Sequence, residues 1–256
     1  MKRILVCVKM VPTSAVKMDK QHRMDRKGVA HQLNIADSSA LEAALHYKDQ
    51  AEIIILCMGL KSQEDILQEL LVRGADRAVL LTDSRMAGSD TFATARVLAE
   101  AVKKIGDYDL ILCGRKAIDG ETGQVPGELA AVLEIPCVTN VNKVEVKEDY
   151  LLLERILEEG TAKLETDMPA IVSVCEYSYS LRLPGIRQMR LARNKKVEIW
   201  TMDDLGITDE NCGQKGSLTK VLKVEGIKSD RRKCIKETDP AEGARRLKKM
   251  IREALI

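Results

Sequence analysis

Leu110-Ile-Leu-Cys-Gly-Arg-Lys-Ala-Ile-Asp-Gly-Glu-Thr-Gly-Gln-Val-Pro126 holds the signals from which the fold can be read. Leu110–Cys113 is a short apolar run of the kind a strand buried on both faces needs. Gly114, Gly120 and Gly123 then break regular structure, and Val125-Pro126 opens a stretch with apolar residues at helical spacing, proline being favoured in a first helical turn. Strand, glycine-rich loop and helix in that order form half of a parallel βαβ unit. Backbone amides at such a helix start make a site for phosphate or another anion. Thr122 and Gln124 can add side-chain donors, and Asp119 can accept from a ribose hydroxyl. A plain strand-to-helix turn explains the same residues without any ligand.

Working outward, the same alternation fills the first 140 residues. Apolar runs at Ile4–Val8, Ile53–Met58, Ala78–Leu81 and Val138–Val141 are separated by amphipathic stretches at Ser38–Tyr47, Glu64–Arg73, Asp90–Ile105 and Val125–Leu133. Asp37-Ser38-Ser39 and Ser89-Asp90-Thr91 supply side-chain oxygens for the amides that begin two of these helices. Past residue 140, Val144-Glu-Val146, Tyr150–Ile156, Thr161–Leu164 and Ala170–Val174, with Glu158-Glu-Gly160 as a turn, read as antiparallel. The fold class expected is α/β: a doubly wound, mostly parallel sheet with an added antiparallel hairpin. Residues 1–175 form the nucleotide-binding domain in this reading. Residues 176–256 form an extended C-terminal arm ending in an amphipathic helix, Pro240–Leu255, that needs a surface to lie on.

In an open parallel sheet ligands sit beyond the carboxyl ends of the strands, where the connection order reverses. Those ends are Val8-Lys-Met10, Met58-Gly-Leu60 and Gly114-Arg115, joined by Asn34-Ile-Ala-Asp37. Gly59 would let backbone approach a ligand closely, or simply make a turn. No Gly-x-Gly-x-x-Gly follows Val8, and the sequence holds neither a Gly-x-x-x-x-Gly-Lys-Ser/Thr loop nor a Gly-x-Ser-x-Gly elbow. His22 and His31 read as loop residues and His46 as a helix-surface residue. Nothing in their spacing, or in that of Lys9 and Asp37, argues for acid–base catalysis.

Composition narrows the class. The 256 residues are 45% apolar and 31% charged with a net charge of +2, as in ordinary globular proteins. Aromatics at 3% and no basic stripe argue against nucleic acid. No apolar run is long enough for a membrane span, and the first is too short for a signal sequence, so the expected location is cytoplasmic. The 7 cysteines include no Cys-x-x-Cys pair, which points to reduced thiols rather than disulfides or a metal. Of two basic clusters, Arg231–Lys233 reads as solvated surface, whereas Arg187–Lys196 invites a partner.

These residues resemble the beta (small) subunit of electron transfer flavoproteins. The likeness rests on Ile4-Leu-Val-Cys-Val-Lys9, Asn34-Ile-Ala-Asp37 with Ala40-Leu-Glu-Ala-Ala-Leu45, Arg73-Gly-Ala-Asp76 and Gly114-Arg-Lys-Ala-Ile-Asp-Gly-Glu-Thr122. Leu153-Glu-Arg-Ile-Leu-Glu-Glu-Gly160, Met168-Pro-Ala-Ile-Val172 and Lys195-Lys-Val-Glu-Ile-Trp200 extend it to about residue 205. It implies an adenine nucleotide alpha hydrolase-like fold and a heterodimer whose alpha (large) subunit holds the electron-carrying FAD. Carried over by position, the nucleotide contacts are Cys7 and Met58 through the backbone, Asn34, Asp37, and the loop residues Asp119, Gly120, Thr122, Gly123, Gln124 and Val125. Dehydrogenase partners, acyl-CoA or other, would be met at Pro184–Met189, with Ile186 as apolar anchor beside Arg187 and Met189. Arg190, Arg193, Lys195 and Lys196 would steer an acidic partner.

The resemblance divides into two branches. Ordinary carriers keep AMP in the small subunit. Electron-bifurcating members keep a second FAD there, reduced by NADH. Gly120–Val125 is short, as in the bifurcating branch, and favours FAD. It departs from that branch's Thr-Ala-Gln-Val-Gly-Pro at Gly123 and in the order Pro126-Gly127. Tyr177-Ser-Tyr-Ser-Leu-Arg182 replaces the family's Asn-Glu-Pro-Arg-Tyr. A non-redox nucleotide sensor of the universal-stress type is the rival on a similar sheet.

Overall fold

The computed structural model describes residues 3–13, 17–18, 24–25, 29–222 and 236–254. His22, Arg231–Lys233, Cys234 and Leu255 lie outside them. The strands are β1 (Arg3–Val8), β2 (Met10–Pro12), β3 (Lys17–Met18), β4 (Met24–Asp25), β5 (His31–Leu33), β6 (Glu52–Met58), β7 (Arg77–Leu81), β8 (Leu110–Gly114), β9 (Cys137–Val146), β10 (Tyr150–Leu157), β11 (Gly160–Asp167), β12 (Ala170–Val174) and β13 (Glu198–Trp200). The helices are α1 (Ile35–Leu45), α2 (Glu64–Arg73), α3 (Thr91–Ile105), α4 (Val125–Leu133), α5 (Ile186–Ala192), α6 (Met202–Leu205), α7 (Gly213–Gly216) and α8 (Pro240–Ala254).

One nine-stranded sheet carries the fold, in the order β11-β10-β9-β12-β8-β1-β6-β7-β13. From β9 to β13 every neighbouring pair is parallel, and only the β9-β10-β11 end is antiparallel. β1 shows why both faces are covered: Ile4, Val6 and Val8 join one core with Leu41 and Leu45 of α1 and Leu67 and Leu71 of α2. Leu5 and Cys7 join the other, with Val97 and Val102 of α3 and Leu129 of α4. Period-two alternation thus feeds two apolar layers, and each takes helices with an apolar stripe. The doubly wound class is the one observed.

Two local expectations change. Ala170–Val174 is not antiparallel; β12 inserts between β8 and β9 and runs parallel to both. All five of its residues are buried, and a strand covered on both faces reads as a continuous apolar run wherever it sits in the chain. The first helix begins at Ile35 after Asn34 rather than behind an Asp37 cap. The Asp37 side chain is drawn instead to two strand ends. The expected Asp90 cap is present, its carboxylate accepting from Ala93 N at 2.9 Å.

Contacts divide the chain into Met1–Val221 and Leu222–Ile256. The segment after residue 175 makes contacts within the first unit. Arg182 pairs with the buried Glu42 of α1, its Nη2 2.7 Å from Oε1, and Arg73 Nη1 donates to Arg182 O at 2.6 Å. β13 then pairs with β7 as the far edge of the sheet. His31 lies on β5 rather than in a loop, and His46 stacks edge-on against Tyr179 at 5.4 Å. No helix among the described residues is long and apolar enough to cross a membrane.

Candidate functional site

The chain order runs from β1 outward to β6 and β7, then returns to β8 on the other side of β1. The reversal therefore falls between β1 and β8, which opens a crevice beyond their carboxyl ends. Asp37 spans it: Oδ2 accepts from Lys9 N at 2.7 Å and Oδ1 from Gly114 N at 3.1 Å. Gly114 is required by this packing. A Cβ there would stand 2.1 Å from Asp37 Oδ1 and 2.8 Å from the Ala36 carbonyl carbon, so only glycine admits the first turn of α1. Burial pushes the Asp37 carboxyl up to about 7, against the donors of Lys9, Asn34 and Gly114 that favour its ionised form.

Asn34 is fully buried and sets the loop after β8. Its Nδ2 donates to Lys116 O at 3.0 Å, and its Oδ1 accepts from Ile118 N at 3.3 Å. Lys9 Nζ reaches Asp119 Oδ1 at 2.6 Å, so the loop is tied to the end of β1 from a second side. Asn34, Asp37 and Asp119, expected as ligand contacts, thus hold the frame through their side chains. Cys7 pairs in register with Cys113 across β1 and β8. The Cys7 thiol beside it, together with burial, raises the Cys113 thiol well above the ordinary range. The six described cysteines are all free. Met58 ends β6 at the same side of the sheet.

Past Asp119 the chain is open. Gly120, Thr122, Gly123 and Gln124 are exposed and Val125 is half-buried at the first turn of α4. Among the described residues, the amides of Thr122, Gly123, Gln124 and Val125 find no acceptor. Gly123 adopts φ 64°, and a Cβ on it would stand 3.3 Å from Arg115 O. The loop therefore folds back over its own root and leaves a row of backbone donors without an acceptor among the described residues, at a helix N-terminus. Such a cradle fits phosphate oxygens. Cationic side chains stand near its root: Arg115, whose Nε lies 2.9 Å from Glu176 Oε2, and Lys116.

Sequence reasoning named Thr91 only as part of a helix start and not as a neighbour of the loop, yet its hydroxyl lies 3.0 Å from Glu128 Oε1 and 3.3 Å from Gln124 Oε1. Its signal was available: in a parallel sheet the start of every helix after a strand lies at the same end. Gly59 does not face an open site. A Cβ there would meet Gln63 Oε1 at 2.2 Å, and that oxygen accepts from Leu60 N.

Ile186, Arg187 and Met189 lie on α5, which packs against α2 and has Ala192 as its buried residue. Ile186 is 73% exposed and Met189 51%. Arg190, Arg193 and Lys196 are exposed as well. Lys195 leaves the steering set: its Nζ donates to Ala75 O at 2.6 Å, and burial lowers its ammonium pKa.

The model of the electron transfer flavoprotein domain matches residues 22–205. The chain is 42% identical over 224 residues to the electron transfer flavoprotein subunit beta of Thermoanaerobacterium thermosaccharolyticum, with 86% of each chain covered. It belongs to the electron transfer flavoprotein beta subunit family. It is also similar to the caffeyl-CoA reductase-Etf complex subunit CarD of Acetobacterium woodii, 38% identical over 226 residues with 86% of each covered. Protein FixA of Azorhizobium caulinodans is 38% identical over 233 residues, covering 86% of this chain and 83% of that one.

Family membership removes support from the universal-stress reading. The glycine at position 123 has a cause in the backbone itself, since its φ of 64° would strain an alanine there.

Proposed function

We propose that this chain is the nucleotide-holding small subunit of a heterodimeric electron transfer flavoprotein, passing electrons between dehydrogenases with a large alpha subunit that carries an FAD. In this reading the crevice between β1 and β8 holds an adenosine-containing ligand, with its phosphates on the amides of Thr122–Val125. The observation that carries the proposal is that row of amides, without acceptors among the described residues, at the start of α4 and at the point where strand order reverses. FAD is favoured over AMP by the short Gly120–Val125 loop. Similarity to a subunit named for a caffeyl-CoA reductase-Etf complex supports the bifurcating branch, with NADH as electron donor.

A flavin bound here would supply the hydride and single-electron chemistry, and the protein's part is to hold and orient it. Asn34 and Asp37 fix the frame, Lys9 and Asp119 fix the loop, and the loop amides face the phosphates. Ile186, Arg187 and Met189 offer an apolar anchor beside positive charge to a dehydrogenase. The helix α8 covers part of the large subunit with its apolar residues Leu247, Met250 and Ile251, each exposed in the isolated chain. The site of action is the cytoplasm.

The test is co-expression with the alpha subunit and a flavin count. Two FAD per heterodimer support the bifurcating reading. One FAD with one AMP keeps the crevice but ends the preference for flavin. One FAD and no adenine nucleotide in this subunit rejects the site.

A further inference from the structure

We infer that Tyr177 is a ring-stacking residue of the nucleotide crevice, its phenol closing over the adenine or flavin ring of the bound ligand. The inference rests on the reading that the crevice takes an adenosine-containing ligand. After β12 the chain makes a tight turn, with Ser178 N donating to Cys175 O at 3.4 Å. Tyr177 occupies its third position with φ 63°. A positive φ at that position is the type II geometry that glycine ordinarily supplies. Strained non-glycine residues persist where the surroundings hold them, and they gather at ligand sites. The surroundings here do hold it: Cys175 N donates to Val141 O at 2.8 Å, and the Glu176 carboxylate is gripped by both Arg115 Nε and Nη2.

Exposure separates this ring from its neighbour. Tyr179 turns inward, and its hydroxyl accepts from Val144 N at 2.9 Å. Tyr177 is 79% exposed, and among the described residues its hydroxyl has no partner. In a chain with 3% aromatic residues, an exposed tyrosine on strained backbone is costly to folding, and packing gives no return for it.

Arg115 relates the tyrosine to the site. Its amide donates to Val174 O at 2.8 Å, its guanidinium holds Glu176, and its carbonyl stands 3.3 Å from the Cβ position of Gly123. Glu176, the residue before Tyr177, and Gly123 of the open loop therefore both meet Arg115, at the carboxyl ends of adjacent strands. A planar ring beside a phosphate cradle is suited to a base or an isoalloxazine, since stacking accepts any aromatic face.

The experiment uses the purified heterodimer, with FAD beyond the large-subunit equivalent and AMP as titrated probes. Tyr177→Asn removes the ring but keeps a residue that tolerates positive φ; Tyr177→Phe keeps the ring. The Asn variant is expected to bind its preferred probe about tenfold more weakly, within the range of single base–aromatic stacks, and the Phe variant within about twofold of the unaltered complex. Bound FAD is expected to fluoresce more brightly in the Asn variant than in the other two. An Asn variant that binds both probes as the unaltered complex does overturns the inference. An Asn variant that no longer assembles with the large subunit also overturns it, because the ring then serves that contact. If the unaltered complex takes neither probe in this subunit, the underlying reading falls and the inference with it.

Discussion

Lys9 Nζ sits 2.6 Å from Asp119 Oδ1, so the residue that ends β1 holds down the loop that leaves β8. The Asp119 side chain is 5% exposed and that of Lys9 42%. Replacing Lys9 by Met removes a charge-assisted hydrogen bond and frees the loop. Nucleotide affinity of the heterodimer is expected to fall about tenfold, the scale of one such bond, with little change in assembly. Equilibrium titration of the variant complex measures it, and an unaltered affinity takes the Lys9–Asp119 pair out of the site.

Asn34 is buried with both ends of its amide engaged. Asn34→Leu leaves Lys116 O and Ile118 N without their partner, at an expected cost of about 2 kcal/mol in stability. Thermal unfolding monitored by circular dichroism should show a clear drop in midpoint. Unchanged stability would mean that loop and helix are not coupled through this side chain.

Asp37 gives the chain a pH dependence of calculable sign. Burial raises its folded pKa to about 7, well above the ordinary carboxylate range, so the folded state binds the proton more tightly than the unfolded chain does. This contribution to stability is fully present at low pH and is lost as pH rises from about 4 through about 7. Asp37→Asn should flatten that part of the stability profile in denaturant titrations across this range. A profile with the opposite slope would mean that the Lys9 and Gly114 amides outweigh desolvation.

Gly114→Ala places a methyl 2.7 Å from Asp37 N and 2.8 Å from the Ala36 carbonyl carbon, both backbone atoms that cannot swing aside. Such overpacking costs roughly 1–3 kcal/mol or more. The variant should unfold at lower denaturant and lose bound nucleotide in parallel. Gly127→Ala is the matched control, since nothing lies within 4 Å of its Cβ position.

Much of this architecture was legible because a buried parallel strand and its helix have different periods. Ile4–Val8, Ile53–Met58 and Leu110–Cys113 were visible as runs, and Glu64–Arg73 and Val125–Leu133 by helical spacing. The loop at Asp119–Val125 stood out through its glycines. What periodicity could not give is partnership between distant residues. Ala170–Val174 looks the same whether it extends the hairpin or enters the centre of the sheet, since register with β8 is a tertiary fact. Asp37 had the composition of a helix cap. Its recruitment to Lys9 and Gly114 depends on two strand ends far along the chain. The weak signal after residue 176 concealed β13, whose three residues are too few to show a period.

The central claim is that the amides from Thr122 to Val125 hold the phosphates of an adenosine-containing ligand. The most direct measurement is the nucleotide released from purified heterodimers carrying Thr122→Phe or Gln124→Leu, compared with the unaltered complex. The account predicts one adenosine-containing nucleotide in the small subunit of the unaltered complex, and close to none in the variants, whose subunits still assemble and whose large subunit keeps its FAD. Variants that release the same nucleotide in the same amount would contradict it.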